Sequence, residues 1–119
     1  RKYDMKKVSH IKNFLRDPIA CWRFELELYR LLKGVKPNPG HYALAELEGM
    51  GLLDGVVTQN VEGLHTEAGS RNVVEIHGNE TQALCLVCGR RSSWEEAFRS
   101  VGWISDVGEI LEGALPDAA

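Results

Sequence analysis

The segment VVTQNVEGLH, Val56 to His65, decides how this chain is read. Two β-branched residues open it, and β-branched residues favour extended backbone. Thr58, Gln59, Asn60, Glu62 and His65 follow without a Lys or Arg among them. A hydrophobic strand that ends in a cluster of mostly neutral hydrogen-bonding groups suits the floor of a cleft. A second extended stretch, NVVEIHG, brings His77 seventeen positions after Asn60. Eleven residues separate Asn60 from Asn72, just enough for a crossover between parallel strands. The spacing predicts parallel strands over about Gly55–Thr58 and Val73–His77, with Gln59, Asn60 and His77 at the same edge. In open α/β sheets that edge, outside the carboxyl ends of the strands, is where ligands bind.

Before this pair the pattern is helical. Phe14, Ile19, Trp22, Leu26 and Tyr29 fall close to one helix face, and Asp17-Pro18 suits a helix start, with Asp as cap and Pro in the first turn. The stripe reads as an amphipathic packing helix, with Cys21 beside it as a small core or boundary residue. KPNPG at Lys36–Gly40 is a stiff break. A second helix follows, with Leu44, Leu47 and Tyr42 expected to be buried, and GMG at Gly49–Gly51 ends it. That glycine pair follows a helix and precedes a strand, the reverse of a dinucleotide fingerprint. After the second strand comes TQALCLVCGRRSS, then one short helix over about Trp94–Ser100, and beyond it the periodicity fades.

Composition narrows the function. At 119 residues the chain is one domain or a piece of one. It is 44% hydrophobic and 26% charged, which suits a globular protein. The net charge is −3, and basic residues cluster no further than Lys6–Lys7 and Arg90–Arg91. Charge therefore supports neither nucleic-acid nor anionic-membrane binding. No apolar run approaches the ~20 residues of a membrane span. Three cysteines do not make a disulfide framework and fit a reducing, cytoplasmic compartment.

Two groups of residues could carry chemistry. Cys85-x-x-Cys88-Gly89 has the spacing that lets two thiolates reach one metal, and the glycine accepts the turn that aims N–H groups at sulfur. It reads as half of a zinc site, as a redox pair, or as two cysteines without such a role. The redox reading expects the first Cys at a helix N-terminus. A histidine at a strand end is more often a satisfied structural residue than a general base, and the company of Asn60 raises the second reading for His77 without displacing the first.

TQNVEGLH, then AGSRNVVEIHG, then CLVCG, in this order and spacing, resembles the central core of the sirtuins, NAD-dependent protein deacylases. FLRDP with a following Trp, and KPNPGHYALAELE, resemble the helical segment that precedes that core, so the likeness covers about Arg1 to Trp94. The resemblance implies an α/β fold: a partial Rossmann-like parallel sheet with helices and a small zinc-knuckle-like insert. It implies a single partial catalytic domain with a helical segment at 1–54, cofactor-pocket strands at 55–80 and an incomplete zinc module with tail at 81–119. It implies NAD as cofactor, His77 and Asn60 as catalytic residues, and Gln59, Asn60, Val61, Glu62 and His77 as the cofactor-binding set. It implies zinc on Cys85 and Cys88, as the first half of a four-cysteine site. The partner implied is an acyl-lysine protein or peptide, whose acyl group passes to ADP-ribose as nicotinamide leaves.

The family's Gly-Ala-Gly loop, its second cysteine pair and its later strands are not in this sequence, and ALPDAA at Ala114–Ala119 only faintly echoes the stretch after the zinc module. The chain is therefore expected to be a segment that does not turn over alone. A non-catalytic zinc-knuckle interaction module and, less well, a Cys-x-x-Cys redox protein are the rival readings. Glu62 stands where the family has Asp. It either receives the nicotinamide amide in a bent conformation or faces solvent as a cap on the following turn.

Overall fold

The computed structural model describes residues 3–113, so the ALPDAA stretch lies outside the described residues. The chain forms two compact units, one built from the residues up to Lys33 together with those from Phe98, the other from Gly34–Ala97.

The first unit is helical. It contains α1 (Met5–Val8), α2 (Ile11–Arg16) and α3 (Pro18–Leu32). Asp17 caps α3 as the sequence predicts, its side chain accepting the Ala20 N–H at 3.2 Å ahead of Pro18 in the first turn. Cys21, Leu26 and Tyr29 of α3 are buried, and burial pushes the Cys21 thiol above its ordinary range, helped by the negative charges of Asp17 and Glu25. Ile19, predicted to share this stripe, remains 36% exposed because it stands in the first turn, at the stripe's margin. Aromatic edges organise the packing. Trp22 meets Phe14, Phe98 and Trp103 edge-on at 6.0, 5.8 and 5.7 Å between ring centroids, and Tyr29 meets Phe98 at 5.4 Å.

After α6 (Trp94–Ser100) the described residues, up to Gly113, are held in place although their sequence lacks a repeat. Trp103 N–H returns to the Phe98 carbonyl, Ile104 and Ile110 form an antiparallel bridge, and Ile104 is buried. At the turn between them the Gly108 carbonyl accepts the Tyr29 hydroxyl and the Lys33 ammonium, each at 2.9 Å, while Lys33 also pairs with Glu109 at 3.2 Å. Gly108 has φ +81°, and a Cβ there would stand 2.7 Å from the Tyr29 hydroxyl oxygen, so this turn needs glycine on both counts.

The second unit carries the sheet. α4 (Pro39–Gly49) begins with a capping box in which Asn38 accepts the His41 N–H and His41 accepts the Asn38 N–H. It ends as predicted at GMG, where Gly51 N–H returns to Glu48 and Leu52 N–H to Leu47 in a Schellman closure with Gly51 at φ +75°. β1 (Val56–Thr58), α5 (Leu64–Glu67) and β2 (Val73–Glu75) follow. β1 and β2 pair in parallel, Val56 with Val73, Val57 with Val74 and Thr58 with Glu75. β3 (Gln82–Leu84) and β4 (Arg91–Ser93) form a separate antiparallel hairpin. The expected burial along α4 does not hold: Tyr42 is 52% and Leu47 38% exposed, and Leu44 is half-buried. α4 turns instead its His41 and Ala45 side toward the α5 region, His41 lying edge-on to His65 at 4.8 Å and Ala45 lying near Gly69. No helix among the described residues is long and apolar enough to cross a membrane.

Candidate active site

The parallel ladder runs past its last paired residues. Val56 N–H donates to Asn72, and Ile76 N–H donates to Thr58 at 3.1 Å, so His77 follows directly on the last inter-strand bond. Gly78, at φ +80°, returns its N–H to Glu75 and turns the chain. On the other strand the Thr58 hydroxyl accepts the Asn60 N–H at 3.0 Å, so the chain bends as soon as β1 ends. Gln59 and Asn60 are exposed at the end of β1, His77 is exposed at the end of β2, and Val61 and Glu62 are half-buried between β1 and α5.

The loops after the two strands are tied to each other. Glu80 N–H donates to the Val61 carbonyl at 2.8 Å. Asn79 donates through Nδ2 to Glu75 at 2.9 Å, and its Oδ1 accepts both the Thr81 N–H and the Thr81 hydroxyl. Gly63 opens α5 at φ +73°, and a Cβ there would stand 3.0 Å from Asn79 Nδ2. The Glu80–Val61 bond thus ties the loop after β2 to the loop after β1, while Asn79 and Thr81 brace the β2 loop from within. The sequence does not announce the Glu80–Val61 bond, because its partners lie 19 positions apart. Gln59, Asn60, Val61, Glu62 and His77 belong to this joined edge, whereas Cys85 and Cys88 belong to the turn of the β3–β4 hairpin.

That turn closes on itself. Cys85 N–H donates to the Arg90 carbonyl, Gly89 N–H returns to Cys85, and Gly89 takes φ +73°. The N–H groups of Cys88 and Val87 aim at the Cys85 sulfur and hold its thiol below the ordinary range, with smaller help from the Cys88 thiol and the Arg90 charge. Both cysteines are free and exposed. The donor set suits two of zinc's four ligands, and among the described residues no group of three or more His, Cys, Asp or Glu could hold an ion. Cys85 follows a strand and not a helix N-terminus, which is where a thioredoxin-like pair would place it.

Helices with a parallel strand pair whose carboxyl ends meet polar loops define an α/β protein with a partial Rossmann-like sheet. This chain belongs to the Sir2 family, whose family model matches residues 1–106. It is 49% identical over 111 residues to the NAD-dependent protein deacetylase of Sulfolobus acidocaldarius, covering 93% of this chain and 42% of that protein. It is 44% identical over 104 residues to the NAD-dependent protein deacylase of Pyrococcus furiosus, covering 87% and 41%. Among solved structures, a Sir2 enzyme analysed for mechanism and regulation superposes with a TM-score of 0.74 at 39% identity, covering 92% of this chain and 47% of that one. Sir2Af2 bound to a myristoylated histone peptide superposes at 0.62, also at 39% identity, covering 83% and 44%. The chain spans about two fifths of the length of these curated relatives.

Proposed function

We propose that this chain is the central part of an NAD-dependent protein lysine deacylase that passes the acyl group to ADP-ribose and releases nicotinamide. The observation that carries the reading is the parallel β1–β2 pair, whose two following loops are bonded together through Glu80 and Val61 at the edge holding Asn60 and His77. Family membership supplies the reaction. We propose one partial catalytic domain, with the helical segment at 1–54, the pocket strands at 55–80 and the cysteine module with tail at 81–119, acting in the cytoplasm.

In this reading NAD supplies the electrophile, a ribose carbon that carries nicotinamide as its leaving group. His77 takes a proton from a ribose hydroxyl. Asn60 and Gln59 offer neutral dipoles to hydroxyls and to a developing cationic centre, where a Lys or Arg would repel. Glu62 accepts the carboxamide N–H, and Val61 forms wall while its carbonyl is engaged by Glu80. Cys85 and Cys88 hold zinc as half of a structural site. The substrate is an acyl-lysine peptide, a reading supported by relatives solved with a p53 peptide and with a myristoylated histone peptide.

The deciding experiment is His77→Ala in a chain that carries the remainder of the domain. NAD-dependent deacylation should fall by about 10²–10⁴-fold, the range of a lost general base, with the melting temperature unchanged. Deacylation near the parent rate rejects the assignment. Failure of the parent chain to bind NAD favours instead the non-catalytic interaction module.

A further inference from the structure

The strand ends that form the proposed site are fixed from the opposite end of the same pair. Glu48 stands in the last turn of α4. Its carboxylate accepts the Arg71 N–H at 2.6 Å through Oε1 and the Asn72 N–H at 3.1 Å through Oε2. These two amides are consecutive and directly precede β2. One oxygen on each of two successive amides sets both the position and the direction of the chain that enters the strand. Asn72 passes the constraint to β1. Its Nδ2 donates to the Asp54 carbonyl at 2.8 Å, and its own carbonyl accepts the Val56 N–H at 2.9 Å. Gly55 lies in between, and a Cβ there would stand 2.6 Å from Asn72 Nδ2 and from its carbonyl oxygen. One carboxylate and one carboxamide therefore join the end of α4 to the starts of both strands.

We propose that Glu48 is a positioning residue, holding β1 and β2 in the register that sets where Asn60 and His77 stand relative to each other. The inference rests on the reading of that edge as the deacylase site. Each strand has only three residues, so a slip at its start arrives undamped at its end, and a slip of one residue turns every side chain to the other face. The Glu48 carboxyl is held below the ordinary glutamate range by the N–H groups of Arg71 and Asn72, with a smaller contribution from the Arg71 charge.

Glu48→Gln keeps the length but leaves one oxygen to serve two amides. In this chain, amide exchange at Arg71 or Asn72 should rise about tenfold, the loss of one charge-assisted bond. The His77 imidazole resonances should shift while those of His10 in the other unit stay in place. In a chain carrying the whole domain, kcat should fall about tenfold or more, with KM for the acylated peptide within about twofold, since the misplacement acts on reacting groups and not on peptide binding. Glu46→Gln, exposed on the same helix, should leave both readouts unchanged. Raised exchange at Arg71 and Asn72 with unmoved His77 resonances and an unchanged kcat overturns the proposal and reduces Glu48 to a local latch. If Glu48→Ala unfolds, the Gln variant decides. If the parent shows no deacylation, the functional reading fails, and the His77 resonances alone decide whether Glu48 positions the edge.

Discussion

Glu48 also gives the fold a pH dependence of definite sign. Its carboxyl is lowered in the folded chain by the Arg71 and Asn72 amides, so the unfolded chain binds that proton more readily. The stabilisation is therefore complete above the ordinary glutamate range and is lost as pH falls through the lowered folded value. An acid titration of the Arg71 and Asn72 amide shifts should show one step below that range, absent in Glu48→Gln; a step within the ordinary range would mean that the carboxylate is not held by these bonds. Residues of this kind are hard to read from sequence. Glu48 lies 23 and 24 positions from its partners, and as one more acidic residue on an exposed-looking helix it carries no local mark. Asp17 and Gly51 were legible because their partners are near neighbours: a cap reaches three residues ahead and a Schellman closure a few residues back.

Elements with local signals formed where the sequence placed them. α3 begins at the Asp-Pro start, α4 ends at GMG, β1 and β2 are parallel across the predicted crossover, and α6 occupies Trp94–Ser100. α4 shows what local signals are worth here, since none of its residues is buried and its caps carry more of the load than in a core helix. Asn38→Ala should lower the stability of the second unit by about 1 kcal/mol, the usual value of a lost N-cap, seen as a lower urea midpoint with unchanged slope. A loss indistinguishable from zero would place the stability of α4 in its contact with α5. The expectations that failed concern partners and not periodicity. Tyr42 and Leu47 sit at apolar positions of α4, but His41 and Ala45 face the α5 region instead. The stretch after Ser100 is held by Tyr29 and Lys33, from far back in the chain, so no repeat could announce it.

At the scale of the molecule, the polar edge was legible because strand, crossover length and polar ending agree, while the Glu80–Val61 bond was not, because it exists only once the two loops meet. The cysteine turn was legible as a pair, and its two sulfurs define what the chain can do with metal. Two ligands leave a zinc ion half-coordinated, so this chain should bind zinc weakly and release it to a mild chelator. Cys85→Ser should remove the residual thiolate–cobalt absorption. Equimolar zinc that survives chelation would mean that further ligands complete the site. The Gly108 turn bears on how the protein is made. Its contacts with Tyr29 and Lys33 span 79 and 75 residues, and the whole second unit is encoded between them. A ribosome adding 5–20 residues per second takes about 4–15 s to travel that distance. For part of that interval α3 is clear of the exit tunnel while Phe98 and Trp103 are still unmade, so the nascent chain carries Trp22 and Tyr29 without their cover. The second unit, which emerges in one uninterrupted stretch, closes its parallel pair first, and the helical unit is the one that waits and that a nascent-chain chaperone would shield.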